Sequence, residues 1–237
     1  MTTPQSPSAA KHPPVQDEEE DLSIVYPSED GEPMAENDWQ WIAMADTALA
    51  LRNRYAGRTD VYVASDMLVY YRMNDVSARV APDVYVVLGA NGNHRRYSWL
   101  VWREDKAPDF VLEVASPGTW QHDAGSKRDI YAMMGVTEYW RFDPKGEFFV
   151  PELIGELLSD GEYHPLPIQQ EADGLLRGHS AVLGLDICVR PGPELRLYDP
   201  EAGKWLLTPA ESEAARLAAE EENRRLREQL RALQSGQ

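Results

Sequence analysis

Residues 109–116 read Asp-Phe-Val-Leu-Glu-Val-Ala-Ser, an apolar run with one acid at its centre. The run is too short to span a membrane, and Pro117-Gly118 closes it, so it predicts a buried strand. An ionised carboxylate inside such a strand is costly unless a partner or a cation meets it. Alternation leaves one other outcome, because residues 111, 113 and 115 share a face that could point to water. Either Glu113 meets a partner supplied by another element, or its strand is solvated on one side.

The chain can supply a core around that strand. It has 237 residues, 43% of them hydrophobic, with 7 Trp and 11 Tyr, which excludes global disorder. No apolar run reaches the length of a spanning helix, and the N-terminal stretch MTTPQSPSAAKHPPVQDEEED lacks the apolar segment of a secretory signal. A cytoplasmic location without membrane attachment is the expectation. Cys188, the single cysteine, can form neither an internal disulfide nor a thiolate cluster, and reads as a small buried side chain in Leu-Asp-Ile-Cys-Val.

The net charge of −17 opposes long-range attraction to a polyanion and excludes a broad basic face. Its distribution is uneven. Residues 1–36 carry nine acids against Lys11, whereas residues 210–237 carry six acids and five bases. Residues 1–35, rich in Pro, Ser, Asp and Glu, read as a disordered acidic tail. Asn37 or Asp38 then caps a helix ending before Gly57, with an apolar stripe at Trp41, Met44, Ala45, Ala48 and Leu51.

Strands follow at 61–65 and 67–72, then after Ala81-Pro82-Asp83, and at 109–116. Residues 89–107 read as a long polar loop with aromatics, 122–135 as a helix stopped by Gly135, and 138–143 as a strand. This order predicts a mixed α/β fold with a mixed sheet flanked by helices. From about residue 146 short strands and turns predominate, including a hairpin around Pro200–Gly203. Residues 209–237 form a last helix, in which Ala219, Asn223, Leu226, Leu230 and Leu233 make a heptad seam with Asn223 at an a position. That seam predicts a homodimer through the C-terminal helix, against the alternative of a solvated amphipathic tail or one packed on its own domain.

Asp83 follows a rigid proline and opens the apolar strand Val-Tyr-Val-Val-Leu. A turn or cap aspartate is the bland reading. Yet two strands of one sheet, each with one acid near its end, can bring Asp83 and Glu113 within reach of one hard cation such as Mg²⁺. Lys127, on the following helix, could face both acids, or could be a surface lysine paired with Asp123 four residues earlier. Asp66 reads as a turn residue that could also join a metal shell. Arg95, Arg96, Arg103 and Lys106 alternate with Tyr97, Trp99 and Trp102, a pattern suited to nucleic acid or to an ordinary anchored loop. His12, His94, His122, His164 and His179 show no metal-ligand spacing.

Ala81–Val87, Phe110–Pro117, Asp123 through Lys127 to Tyr131, Gly135–Trp140 and Asp143-Pro144 together resemble the Uma-two family of restriction endonucleases, within the PD-(D/E)XK nuclease superfamily. The resemblance covers residues 60–143, and more loosely 38–210. It implies a restriction-endonuclease-like core over 36–208, carrying the β-rich extension, and hydrolysis of DNA with Mg²⁺ or Mn²⁺. On it, Asp83 and Glu113 are the catalytic and metal-binding acids. The superfamily's lysine position, two after Glu113, is Ala115, and the lysine is matched by Lys127. Family members often carry a histidine near the start of the first helix, where this chain has Glu36-Asn37-Asp38-Trp39-Gln40-Trp41. That departure keeps a second expectation open: a decayed nuclease-fold module that binds DNA or a protein partner.

Overall fold

A computed structural model describes residues 19–29, 31, 37–192 and 194–235. His12, Glu36 and most of the acidic tail lie outside the described residues. Helix α1 (Asp38–Arg54) begins where Asn37 Oδ1 accepts the Gln40 N–H at 3.0 Å, the expected side-chain cap. Strands β1 (Val61–Ser65), β2 (Val69–Tyr70), β3 (Arg79–Val80), β4 (Val84–Leu88) and β5 (Trp99–Leu100) follow, then helix α2 (Val101–Glu104) and β6 (Phe110–Val114). Helices α3 (Trp120–Ala124) and α4 (Ser126–Met134) lead to β7 (Glu138–Phe142), β8 (Leu153–Ser159) and β9 (Glu162–Pro165). Strands β10 (Ile168–Gln170), β11 (Leu176–Ser180), β12 (Leu185–Arg190), β13 (Glu194–Asp199) and β14 (Lys204–Trp205) precede helix α5 (Pro209–Ser235).

The main sheet has the order β1-β4-β6-β7-β8-β9. All its pairings are antiparallel except β6 with β7. A parallel pair needs a crossover, and α3 with α4 supplies it. Helix α4 therefore packs on one face, where Tyr131 and Met134 meet Tyr85, Val111 and Tyr139. On the other face α1 meets Val84, Val86, Phe110 and Leu112. Both faces of β4 and β6 are thus covered, which is why these strands read as nearly unbroken apolar runs. The fold is mixed α/β, with a mixed sheet flanked by helices, as expected.

Strands β8 and β9 extend the main sheet, and only from Ile168 does the chain build a separate five-stranded sheet, β10-β11-β12-β13-β14. The two sheets share one core through α1 and Trp140. A Cβ on Gly155 or Gly178 would lie 2.6 and 2.7 Å from the Trp140 ring, so glycine is required where the indole lies flat between the sheets. Buried Glu138 completes the junction by accepting from Trp140 Nε1 at 3.0 Å, Ser180 Oγ at 2.5 Å and the Val182 N–H at 3.0 Å.

Several local expectations are corrected. The stripe of α1 is not the one periodicity gives: Trp41 is 53% exposed, while Gln40, Ala43, Thr47 and Ala50 are buried with Met44, Ala48 and Leu51. The helix lies between two sheets, so its inward side is wider than a one-face pattern, and Gln40 enters it by donating to the Val114 carbonyl. The strand at 67–72 shortens to Val69–Tyr70, which pairs with β3 and, in parallel, with β5. Residues 89–107 consequently contain a strand and a helical turn rather than loop alone. The helix at 122–135 starts earlier and breaks at Gly125.

Residues 19–29 are not featureless. Tyr26 packs against Tyr70 and Trp102 with ring centroids 5.0 and 5.1 Å apart, and its hydroxyl accepts the Asn74 N–H at 2.8 Å. The Tyr70 hydroxyl donates to the Pro27 carbonyl at 2.9 Å. Aromatic burial thus docks the end of a segment whose composition alone favours solvent.

Candidate active site

Strand parity decides which residues can meet. Glu113 stands opposite Arg141, and Tyr85 opposite Val111, so Asp83, Tyr85, Val111 and Glu113 all project towards α4. Glu113 is 1% exposed, which removes the solvated-strand alternative. Its Oε1 accepts the Tyr131 hydroxyl at 2.5 Å and lies 3.1 Å from Lys127 Nζ. Its Oε2 accepts the main-chain N–H of Asp83 at 3.3 Å. Asp83 Oδ2 in turn accepts the Val114 N–H at 2.6 Å, so each acid is anchored on the other's strand.

Lys127 meets both Glu113 and Asp123. Its ammonium lies 3.0 Å from Asp123 Oδ1 as well as 3.1 Å from Glu113. Asp123 is itself 1% exposed, a buried member of the site rather than the surface partner its i, i+4 spacing predicts. Tyr131 ends a resembling segment but carries no sequence expectation of a role; its place four residues after Lys127 on α4 is the local signal that sets both on one helix face. Asp66 sits at φ +49 in the turn after β1, with its N–H 3.1 Å from the Pro82 carbonyl and 3.3 Å from that of Asp83.

Burial dominates the site's electrostatics. It pushes the Asp83 carboxyl up, to about 6, against the lowering effects of Lys127 and the Val114 N–H. It pushes Glu113 well above the carboxylate range, with Lys127 opposing and Asp123 and Asp83 adding to the rise. Burial disfavours charge on Lys127, but Glu113, Asp123 and Asp83 outweigh it and hold the ammonium firmly protonated. Three carboxyls around one ammonium make a site short of positive charge.

A hard divalent cation suits that deficit. The donor set is carboxylate oxygen, the two acids share one face, and their raised proton affinity marks a place where a cation would relieve repulsion. Among the described residues no three Asp, Glu, His or Cys side chains form a ready-made metal cage. Two carboxylates with water and substrate oxygens are the usual Mg²⁺ arrangement, so the residues fit.

The four basic residues of 95–106 separate. Arg96 is held by Glu104 at 2.6 and 2.8 Å and by the Asn91 and His94 carbonyls at 3.0 Å, stacked over Tyr62 and Trp99. Lys106 Nζ lies 2.6 Å from the Leu88 carbonyl and 3.0 Å from Asp109. Both brace the fold. Arg103 meets Glu20 at 2.8 Å, and Arg95 is exposed.

Residues 18–222 match the model of the Uma2 family, described as "Putative restriction endonuclease". The chain belongs to this family. No curated protein matches the Uma2 chain. Among solved structures it is similar to a "putative nuclease belonging to DUF820" from Anabaena variabilis ATCC 29413, at 14% identity and a TM-score of 0.45, over 62% of this chain and 74% of that one. Among the described residues no helix is long and apolar enough to cross a membrane.

Proposed function

We propose that this Uma2 chain is a metal-dependent endonuclease that hydrolyses DNA phosphodiester bonds at Asp83, Glu113 and Lys127. The observation that carries the reading is the convergence of Asp83 and Glu113 on one sheet face, with Lys127 Nζ 3.1 Å from Glu113. Asp83 and Glu113 would hold Mg²⁺ or Mn²⁺. Such an ion supplies Lewis-acid polarisation of a phosphate and a lower pKa for an attacking water. Lys127 places positive charge where a phosphate gains negative charge during attack. Tyr131 and the Asp83 N–H fix the Glu113 carboxylate, while Asp123 fixes the ammonium. The protein works in the cytoplasm, and its three regions are the N-terminal tail, the nuclease domain to residue 208, and α5.

Calorimetric titration with Mn²⁺, paired with a plasmid-nicking assay, tests this. The expected result is heat and nicking by the wild type and neither by Glu113→Gln. Cation binding without nicking of any DNA form would favour the decayed module, a reading supported by the net charge of −17. The absence of Glu113-dependent heat would remove the metal site.

A further inference from the structure

At the outer edge of the main sheet lies a cleft of about 510 Å³ beside Val61–Val63. Four arginines line it: Arg52 and Arg58 from the end of α1 and the turn after it, and Arg95 and Arg96 from the segment after β4. His94 joins them, and no acid lines the cleft, in a chain whose net charge is −17. Arg58 is paired with Asp60 outside the lining, at 2.7 Å, and Arg96 with Glu104. Arg52 donates its Nε–H to the Val63 carbonyl at 3.2 Å, and neither Arg52 nor Arg95 has a carboxylate partner among the described residues.

The cleft is built rather than incidental. Gly92 lies so close to β1 that a Cβ would fall 2.2 Å from the Val61 carbonyl oxygen, and its N–H bonds the Thr59 carbonyl at 2.9 Å. The clamp on Arg96 then stiffens residues 91–96 as a wall. The Val63 carbonyl orients the Arg52 guanidinium beside this wall, so part of the ordering cost of a phosphate contact there is already met.

Its position relates it to the acids. The cleft straddles the edge at β1: Tyr62, opposite Val87, shares the face of Asp83 and Glu113, whereas Arg52 reaches it from α1 on the other face. Along β1, Tyr62 is four residues from Asp66, whose N–H meets the Asp83 carbonyl. That separation is about 13 Å along β1 at ~3.3 Å per residue, and the acids lie one and two strands further across the sheet, at ~4.8 Å per strand.

We infer that this arginine cleft seats a backbone phosphate of the nucleic acid, on a stretch flanking the bond placed at Asp83 and Glu113. The inference rests on the nuclease reading for its partner, and assigns Arg52 and Arg95 as the contacts that hold the strand in register. Phosphate contacts of this kind position without specifying sequence.

The test measures fluorescence anisotropy of a labelled duplex against the full-length protein in chelator, across about 50 to 200 mM salt. Arg52→Glu/Arg95→Glu is compared with a control of equal charge change at exposed sites away from the cleft, Lys145→Glu/Lys204→Glu. The milder Arg52→Ala/Arg95→Ala covers loss of folding in the charge reversal, and circular dichroism checks each variant. The expected result is about tenfold weaker binding and a salt slope smaller by about two for the cleft variants, with little change in the control. Equal loss in cleft and control variants, no loss in the cleft variants, or no DNA binding by the wild type overturns the cleft. Cleft-dependent binding by a wild type that nicks nothing with Mg²⁺ or Mn²⁺ sinks the nuclease reading instead and leaves the cleft standing.

Discussion

At the scale of single residues, the acids that define the site oppose folding when no cation is present. A carboxyl whose folded pKa exceeds its unfolded value holds more protons folded than unfolded. Whatever stability it contributes is therefore full below the unfolded value near ~3.9 and declines as pH rises through the folded one. For Asp83 the window runs up to about 6, and Glu113 extends it in the same direction. In chelator, Asp83→Asn should melt higher than the wild type at pH 8 and lose that advantage at pH 4. An advantage that grows towards acid would contradict the burial argument. Lys127→Met should lower cleavage by about a hundredfold or more, the scale of removing one charge-stabilising donor. Measured single-turnover rates check this, and an unchanged rate would leave Lys127 as a structural counter-ion only.

Among the elements, the joint between the two sheets is the most exacting. Trp140 is fully buried between Gly155 and Gly178, and Trp140→Ala should cost about 3–5 kcal/mol. Gly178→Ala should also destabilise, because its Cβ would meet both the indole and Ile168. Urea denaturation measures both, and a neutral glycine substitution would show that the ring shifts freely. The strap around Tyr26 sits in the cluster that contains Ala81, two residues before Asp83. Its Glu20 accepts from both Trp102 Nε1 at 2.9 Å and Arg103 Nε at 2.8 Å, so an acidic segment pairs with a half-exposed arginine beside that cluster.

For the whole molecule, α5 stands apart. Its leucines at 226, 230 and 233 are 47%, 57% and 72% exposed, and Asn223 Nδ2 turns back to the Ala219 carbonyl at 2.9 Å. The homodimer expected from the heptad spacing would cover this seam, with Asn223 released to meet its counterpart. Sedimentation of the full chain should give twice the protomer mass and a 1–208 truncation the single mass. Equal states for both would leave α5 a solvated helix. Saturating Mn²⁺ at a hundredfold over its Kd should add about 2.7 kcal/mol to wild-type stability and nothing to Glu113→Gln.

Local chemistry alone determined a good part of this. Apolar runs marked β1, β4, β6 and β7, Asn37 announced its helix, and a lone acid in Phe-Val-Leu-Glu-Val demanded a partner. Those features are legible because period, capping and the cost of a buried charge act within a few residues. Pairing is not local. Nothing in residues 69–70 or 99–100 says that they join in parallel, nothing in Trp41 says that α1 turns it outward, and nothing in Asp123 says that it is buried against Lys127. The arginines of the cleft are more than forty positions apart at their extremes and meet only because β1 lies between α1 and the segment after β4. Burial depth and cross-strand register arise from packing between distant segments, so tertiary structure alone decided which charges became neighbours and which were spent holding the fold.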